Sequence, residues 1–282
     1  MVKLIVTHIN PDLDALSSIW LIKRFFPTWE KADMQFVPAG KTFRGAPPDD
    51  DQEIIHVDTG FGKYDHHQTA KFTCAAELVY KEVKKRQKLS EDNQKALERF
   101  IKVNVELDSG RDISWEDAQN DRYEFMVSNF MASIKFSQEK KDEEKVNYFL
   151  PIIDAIFQTI KNKIKAENEI KKGKEFETLW GKGIGMETGL DDVLTVGEKM
   201  GYSLVVKKNP KDGHVRIFGR WDKKIDLTKA FGKFQKKDPM ASWYLHPSKC
   251  LLLNGSRSDP DMVPTKLSLE EIIKIVGKKK PS

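Results

Sequence analysis

The chain has 282 residues, 39% hydrophobic and 32% charged, with 16 Phe, 6 Trp and 2 Cys. That length fits two globular domains of roughly 100–200 residues each; the aromatic content excludes wholesale disorder, and two distant cysteines argue against a disulfide scaffold or a thiolate-bound zinc. The net charge of +5 hides an asymmetry, since residues 1–140 carry 20 basic against 23 acidic side chains and residues 141–282 carry 28 against 20. Such a contrast fits cation binding in one half and anion binding in the other, or simply a lysine-rich, soluble surface.

Lys3 to Ile9 is short, apolar and β-branched, as suits a buried parallel strand. It runs into His8-Ile9-Asn10-Pro11-Asp12-Leu13-Asp14, where Pro11 disfavours helix at Asn10 but suits a helix start. Asp12 or Asp14 would then complement the positive end of that helix. The stripe Leu13, Leu16, Ile19, Trp20 and Lys23 carries it to about Phe26. Strands are expected at Met34–Pro38 and, after a Pro- and Asp-rich loop, at Glu53–Asp58. Thr73 is the expected N-cap of a helix through Tyr80 towards Arg86. Ser90 opens another, with Leu97, Phe100, Ile101 and Leu107 near one face.

Strands alternating with helices predict an α/β fold around a parallel sheet, with ligands at the carboxyl ends of its strands. Beyond Asp142 a Lys- and Glu-rich helical stretch is expected to be interrupted at Pro151 and to end at Lys171-Lys172-Gly173-Lys174. The remainder predicts a smaller α+β domain. It holds a hairpin of Tyr202–Lys207 and His214–Trp221, a helix over Asp226–Lys236, and further strand within Ala241–Leu253. The expected organisation is a metal-binding catalytic domain over 1–140, a helical linker over 141–175 and a basic substrate-binding domain over 176–282. No apolar run approaches the ~20 residues of a membrane span, and the amino terminus lacks the anatomy of a signal peptide. The protein is therefore expected to be soluble and cytoplasmic, with no membrane partner.

Four elements carry chemistry: His8 with Asp12 and Asp14, then Asp58, then Asp65-His66-His67, then Asp108. His8 ends a strand and the two aspartates lie in the turn above it, so all three side chains can converge above the sheet edge. Asp58 ends a second strand and joins them if the strands are neighbours. Taken singly, an Asp near a helix start reads as a cap and a His-His pair as incidental. Gathered carboxylates, however, repel one another unless cations neutralise them. Oxygens and imidazoles without thiolates suit Mn²⁺ or Mg²⁺, and can also take Co²⁺ or Zn²⁺. His56 shares the strand face of Asp58 by alternation and is expected to be structural.

The order His8-x-x-x-Asp12-x-Asp14, Asp58, Asp65-His66-His67, Asp108 resembles the DHH phosphoesterase superfamily, which includes family II inorganic pyrophosphatases, RecJ-like exonucleases and nano-RNases. Tyr64–Gln68 followed by Thr73–Tyr80, together with Leu107-Asp108-Ser109-Gly110, is most similar to the melanocyte-proliferating-gene (MYG) type exonucleases. The matching motifs span His8 to Asp108. The resemblance implies two divalent cations, Mn²⁺ foremost and Mg²⁺ or Co²⁺ as alternatives. His8 and Asp12 would hold one and Asp14 the other, Asp58 would bridge them at the catalytic centre, and His66 and Asp108 would complete the second site. It also implies that His67 faces the substrate phosphate as a hydrogen-bond donor or proton carrier, and that Asp65 orients a histidine.

In the second half, Val215–Arg220 and Ile225–Phe231 resemble the DHH-associated C-terminal domain, without its Gly-Gly-Gly-His motif. The nearest candidates are Tyr244–Lys249 and Asn254–Arg257. Arg216, Arg220, His246 and Arg257 are the candidate substrate-binding residues, although Arg216 and Arg220 equally read as solvated strand residues. Trp221 and Trp243 fit base stacking or a core. Lys223, Lys224, Lys229, Lys233, Lys236 and Lys237 fit a nucleic-acid backbone or plain solubility. The expected function is hydrolysis of phosphodiester bonds in short RNA or single-stranded DNA, cut exonucleolytically from an end. The alternatives are a phosphohydrolase of pyrophosphate, oligophosphates or cyclic dinucleotide products, and a non-enzymatic nucleic-acid-binding protein.

Overall fold

In the computed structural model, which describes residues 3–255 and 261–278, the apolar segment Leu4–His8 forms the central strand, β1, of a three-stranded sheet. Strands β2 (Asp33–Val37) and β3 (Ile54–His56) flank it, both parallel to it. Helix α1 (Leu13–Phe25) follows β1. It starts where expected because the Asp12 carboxylate accepts hydrogen bonds from the Asp14 and Ala15 amides, leaving fewer orphan donors in the first turn. Helices α2 (Ala75–Arg86) and α3 (Glu91–Asp108) come next, the latter capped by the Ser90 hydroxyl. The residue at the N-cap of α2 is Cys74, and the expected cap Thr73 instead donates its hydroxyl to Glu77.

A run of short turns, including a single helical turn α4 (Val127–Phe130), leads to the long helix α5 (Lys141–Ile170). The sequence suggested a break at Pro151, yet α5 runs straight through it. Proline removes one backbone donor, but Phe149, Ile153 and Phe157 are all buried along one face around it, and such packing outweighs a lost bond. Trp20 of α1 anchors this face, with ring centroids 5.4 Å from Phe100 and 5.2 Å from Phe157.

The chain divides into two compact units, Met1–Lys161 and Asn162–Ser282, with the division falling inside α5. The second unit is built on a six-stranded mixed sheet of order β4-β5-β6-β7-β9-β8. Its strands are β4 (Lys174–Thr178), β5 (Gly181–Glu187), β6 (Leu204–Lys208), β7 (Val215–Gly219), β8 (Tyr244–Leu245) and β9 (Leu251–Asn254). Only β5 and β6 pair in parallel, and α6 (Asp192–Lys199) connects them. Helices α7 (Thr228–Lys237) and α8 (Leu269–Val276) complete the unit. Their buried residues Ala230, Phe234, Ile272 and Ile273 pack in one core with Leu204, Val206 and Ile217. The fold class is thus α/β, with a parallel sheet in one unit and a mixed sheet in the other. Among the described residues no helix is long and apolar enough to cross a membrane.

Candidate metal centre

The pairing of β1 with β3 places Val6 opposite His56, so residues two further along each strand project from neighbouring carboxyl ends. These are His8 and Asp58, and they meet with His8 Nε2 3.2 Å from Asp58 Oδ2. Asp58 turns the chain with φ +54°, a left-handed conformation that Asp adopts more readily than most residues. Its amide then donates to the Tyr64 carbonyl at 3.0 Å. This closed loop brings the Asp65-His66-His67 segment back over the strand ends. His66 Nε2 comes to 3.4 Å from Asp58 Oδ1, 3.7 Å from Asp14 Oδ2 and 3.6 Å from Asp108 Oδ2. Asp14 reaches the cluster from the first turn of α1, and Asp108 from the last residue of α3.

Three overlapping groups have ligand atoms within 4.8 Å of one another: His8, Asp12 and Asp58; Asp14, His66 and Asp108; and Asp58, His66 and His67. Asp58 and His66 each belong to two of them. Asp58 Oδ1 and His66 Nε2 are buried and face each other 3.4 Å apart as an ion pair without hydrogen-bond alignment. Buried polar atoms are nearly always hydrogen-bonded, so a misaligned ion pair leaves both only partly satisfied. A cation between such groups satisfies both. His8 Nδ1 lies 3.0 Å from the Ile9 carbonyl, which fixes the proton on Nδ1 and leaves Nε2 for the cluster, the usual arrangement of a ligating histidine. The donor set is carboxylate and imidazole. Cys74 is buried nearby, where burial and the Asp14 charge push its thiol far up, so no thiolate competes. These residues fit a centre for divalent cations of the Mn²⁺ or Mg²⁺ kind.

The groups of the cluster also act strongly on one another's charge. The Asp58 carboxylate raises the His8 and His66 imidazoles to about 9 each, against the opposing effect of burial. Burial pushes Asp58 upward, but the two imidazoles outweigh it and hold its carboxyl at about 2. Asp108 is pushed up to about 6, by burial first and then by the Asp12 and Asp58 charges against the pull of His66. Asp14 is driven well above the carboxylate range by burial and by the charges of Asp58 and Asp108.

The capping and ligand readings of the aspartates hold together. Asp12 Oδ1 caps α1. Asp14 accepts from the Ala75 and Ala76 amides at 2.6 and 2.8 Å, so it caps α2 across the fold while each oxygen retains a second lone pair. Asp65 is buried and takes three donors: Phe61 N at 2.7 Å on Oδ2, and His67 N at 3.0 Å and Nδ1 at 2.7 Å on Oδ1. It therefore orients His67, whose side chain is 56% exposed and whose Nε2 is left for solvent or substrate. His56 has both ring nitrogens occupied by the backbone, at Pro48 O (2.9 Å) and Phe43 N (3.0 Å), which is a structural role.

No protein-family model matches this chain, and no curated protein matches it.

In the second unit the candidates separate. Arg216 Nη1 pairs with Asp191 Oδ2 at 3.2 Å, and Arg220 grips Asp222 bidentately at 2.9 and 2.8 Å. His246 Nδ1 lies 2.8 Å from Ser248 Oγ. Arg220 and His246 share the lining of a cavity of about 490 Å³ with Trp221, Ser248 and Cys250, whereas Arg216 is not part of that lining. Arg257 lies outside the described residues. Trp243 stacks on Phe234 with centroids 4.2 Å apart, inside the core. Trp221 is 87% exposed.

The sequence reading missed Lys145 and its partner Asn10. Lys145 is 5% exposed, with Nζ 3.0 Å from Asn10 Oδ1; the Asn10 amide in turn donates to Asp142 Oδ1 at 3.0 Å. The first turns of α5 are so tied to the loop that carries Asp12. A signal was present: Lys145 continues the four-residue stripe of Phe149, Ile153 and Phe157, a buried position where lysine is out of place.

Proposed function

We propose that this chain is a divalent-metal-dependent phosphoesterase of the DHH type, hydrolysing phosphodiester bonds of short RNA or single-stranded DNA from an end. The observation that carries this reading is the convergence of three ligand groups on Asp58 and His66, whose facing buried atoms make no aligned hydrogen bond. The motif order from His8 to Asp108, which resembles that superfamily, supports it. His8, Asp12 and Asp58 would hold one cation, and Asp14, His66 and Asp108 the other, with Asp58 common to both. Divalent cations bound there polarise phosphoryl oxygens and lower the pKa of water.

The chain's own residues supply the rest. Asp65 holds the His67 proton on Nδ1, so Nε2 presents a lone pair when the ring is neutral and a donor when it is protonated, as a proton carrier at the phosphate requires. The Ile9 carbonyl sets the His8 ring. The amides of Ala75 and Ala76 set the Asp14 carboxylate, which keeps the cluster from rearranging during turnover.

The test is to incubate the pure protein with Mn²⁺ and end-labelled short RNA, with EDTA as control and an Asp58→Ala variant alongside. Stepwise release of mononucleotides, abolished by EDTA and by Asp58→Ala, is expected. Metal-stimulated cleavage that persists in Asp58→Ala would refute the assignment.

A further inference from the structure

Among the described residues Lys145 makes one hydrogen bond, to a neutral amide oxygen, although an ammonium carries three donors. Burial pulls the ammonium below the ordinary lysine value, opposed across space by the charges of Asp12 and Asp142; among the described residues no carboxylate is in contact with it. Lys145 lines a cavity of about 440 Å³ with the carboxylates of Asp12, Asp14 and Asp108. The same cavity has an apolar wall of Leu13, Leu107, Met131, Ile134 and Phe136. Its volume falls within the ~300–1,000 Å³ of small-molecule sites, which pair an apolar lining with a few placed polar groups. Inorganic phosphate or pyrophosphate would engage the ionic side and leave the apolar wall unused.

We propose that this cavity binds an organic phosphate ester, with an anionic phosphate oxygen on Lys145 Nζ and the ester's compact, partly apolar group against Leu13, Leu107, Met131, Ile134 and Phe136. The proposal rests on the phosphoesterase reading of the adjoining centre and adds the residues that select its substrate: Lys145 for the phosphate and the apolar wall for the organic group. Asn10 positions the ammonium. Its side chain holds Lys145 and its amide holds Asp142, so the phosphate contact and the Asp12 carboxylate are carried on one braced loop. A charge-assisted bond from Lys145 would also offset the repulsion that three carboxylates exert on an incoming anion.

Calorimetry on the full chain tests this, measuring Mn²⁺ binding first and then adenosine monophosphate and inorganic phosphate binding to the Mn²⁺-loaded protein. The proteins compared are the wild type, Lys145→Met, Lys145→Arg and Ile134→Asn. Mn²⁺ binding should be retained throughout, tightening in Lys145→Met, which removes a positive charge that acts on Asp12. Lys145→Met should lose on the order of 10- to 100-fold in affinity for both anions, and Lys145→Arg should recover most of it. Ile134→Asn should weaken adenosine monophosphate and leave inorganic phosphate unchanged. Unchanged nucleotide affinity in Lys145→Met, with Mn²⁺ binding intact, overturns the proposal and leaves the phosphoesterase reading standing. If Lys145→Met fails to fold, equal nucleotide affinity in Ile134→Asn and wild type overturns it instead. A wild-type protein that takes up no Mn²⁺ overturns the phosphoesterase reading itself, and the proposal with it.

Discussion

Loading the metal-free protein with Mn²⁺ at about pH 7.5 should release about two protons per chain. His8 and His66 are each raised to about 9 by the Asp58 carboxylate, so each is ~97% protonated at that pH, and neither can ligate until it loses its proton. At about 1.36 kcal/mol per unit, each deprotonation costs about 2 kcal/mol at pH 7.5. Any proton held by Asp14, whose carboxyl burial pushes up, adds to the count. The apparent Mn²⁺ affinity of each site, which holds one of these imidazoles, should therefore climb roughly 10-fold per pH unit between about pH 7 and 8.5 and flatten above about 9, where the imidazoles are already neutral. Titration calorimetry in two buffers of different ionisation enthalpy, HEPES and Tris, gives the proton count directly. Release of fewer than about half a proton, with affinity flat across that pH range, would refute the claim that these imidazoles are ligands.

Three further outcomes follow from the same geometry. Burial raises Asp108 from an ordinary 3.8 to about 6 in the folded protein, so its ionised form destabilises the fold; the cost is absent below about pH 4, grows between about pH 4 and 6, and levels off at about 3 kcal/mol above that. Asp108→Asn should accordingly raise the melting temperature of metal-free protein at pH 8, leave it unchanged near pH 4, and weaken Mn²⁺ binding. An Asn at position 65 cannot accept from both the Phe61 and His67 donors that Asp65 serves, so Asp65→Asn should lower kcat about 10- to 100-fold while Mn²⁺ affinity stays close to wild type. Ser268 and Glu271 form a reciprocal capping box on α8, and Ser268→Ala should cost about 1 kcal/mol in denaturant unfolding with no change in metal binding.

The elements around the centre were legible because each carries its own local signal. β1 is a short β-branched run ending at a proline, α1 has a capping Asp and a full apolar stripe, and α3 has Ser90 with acidic residues in its first turn. Convergence of His8 and Asp58 needed one further fact, the adjacency of β1 and β3, which the parallel topology supplies. Other features had no local signature. β4 reads Lys-Glu-Phe-Glu-Thr, an edge strand exposed at most positions whose charges look helical, and β5 is broken by three glycines. α8 is rich in isoleucine and valine and looks like a strand; only its capping box marks it as a helix. Arg216 looked free because its partner Asp191 lies 25 positions earlier, on the entrance to α6. Lys145 lies 133 positions from Asp12 in the chain, and only the packing of α5 brings it beside the acidic cluster.

The most direct measurement is an anomalous difference map from crystals grown with Mn²⁺. Two peaks are expected, one among His8, Asp12 and Asp58 and the other among Asp14, His66 and Asp108, with Asp58 touching both. No peak within the cluster, or Mn²⁺ found only on surface carboxylates, would contradict the account.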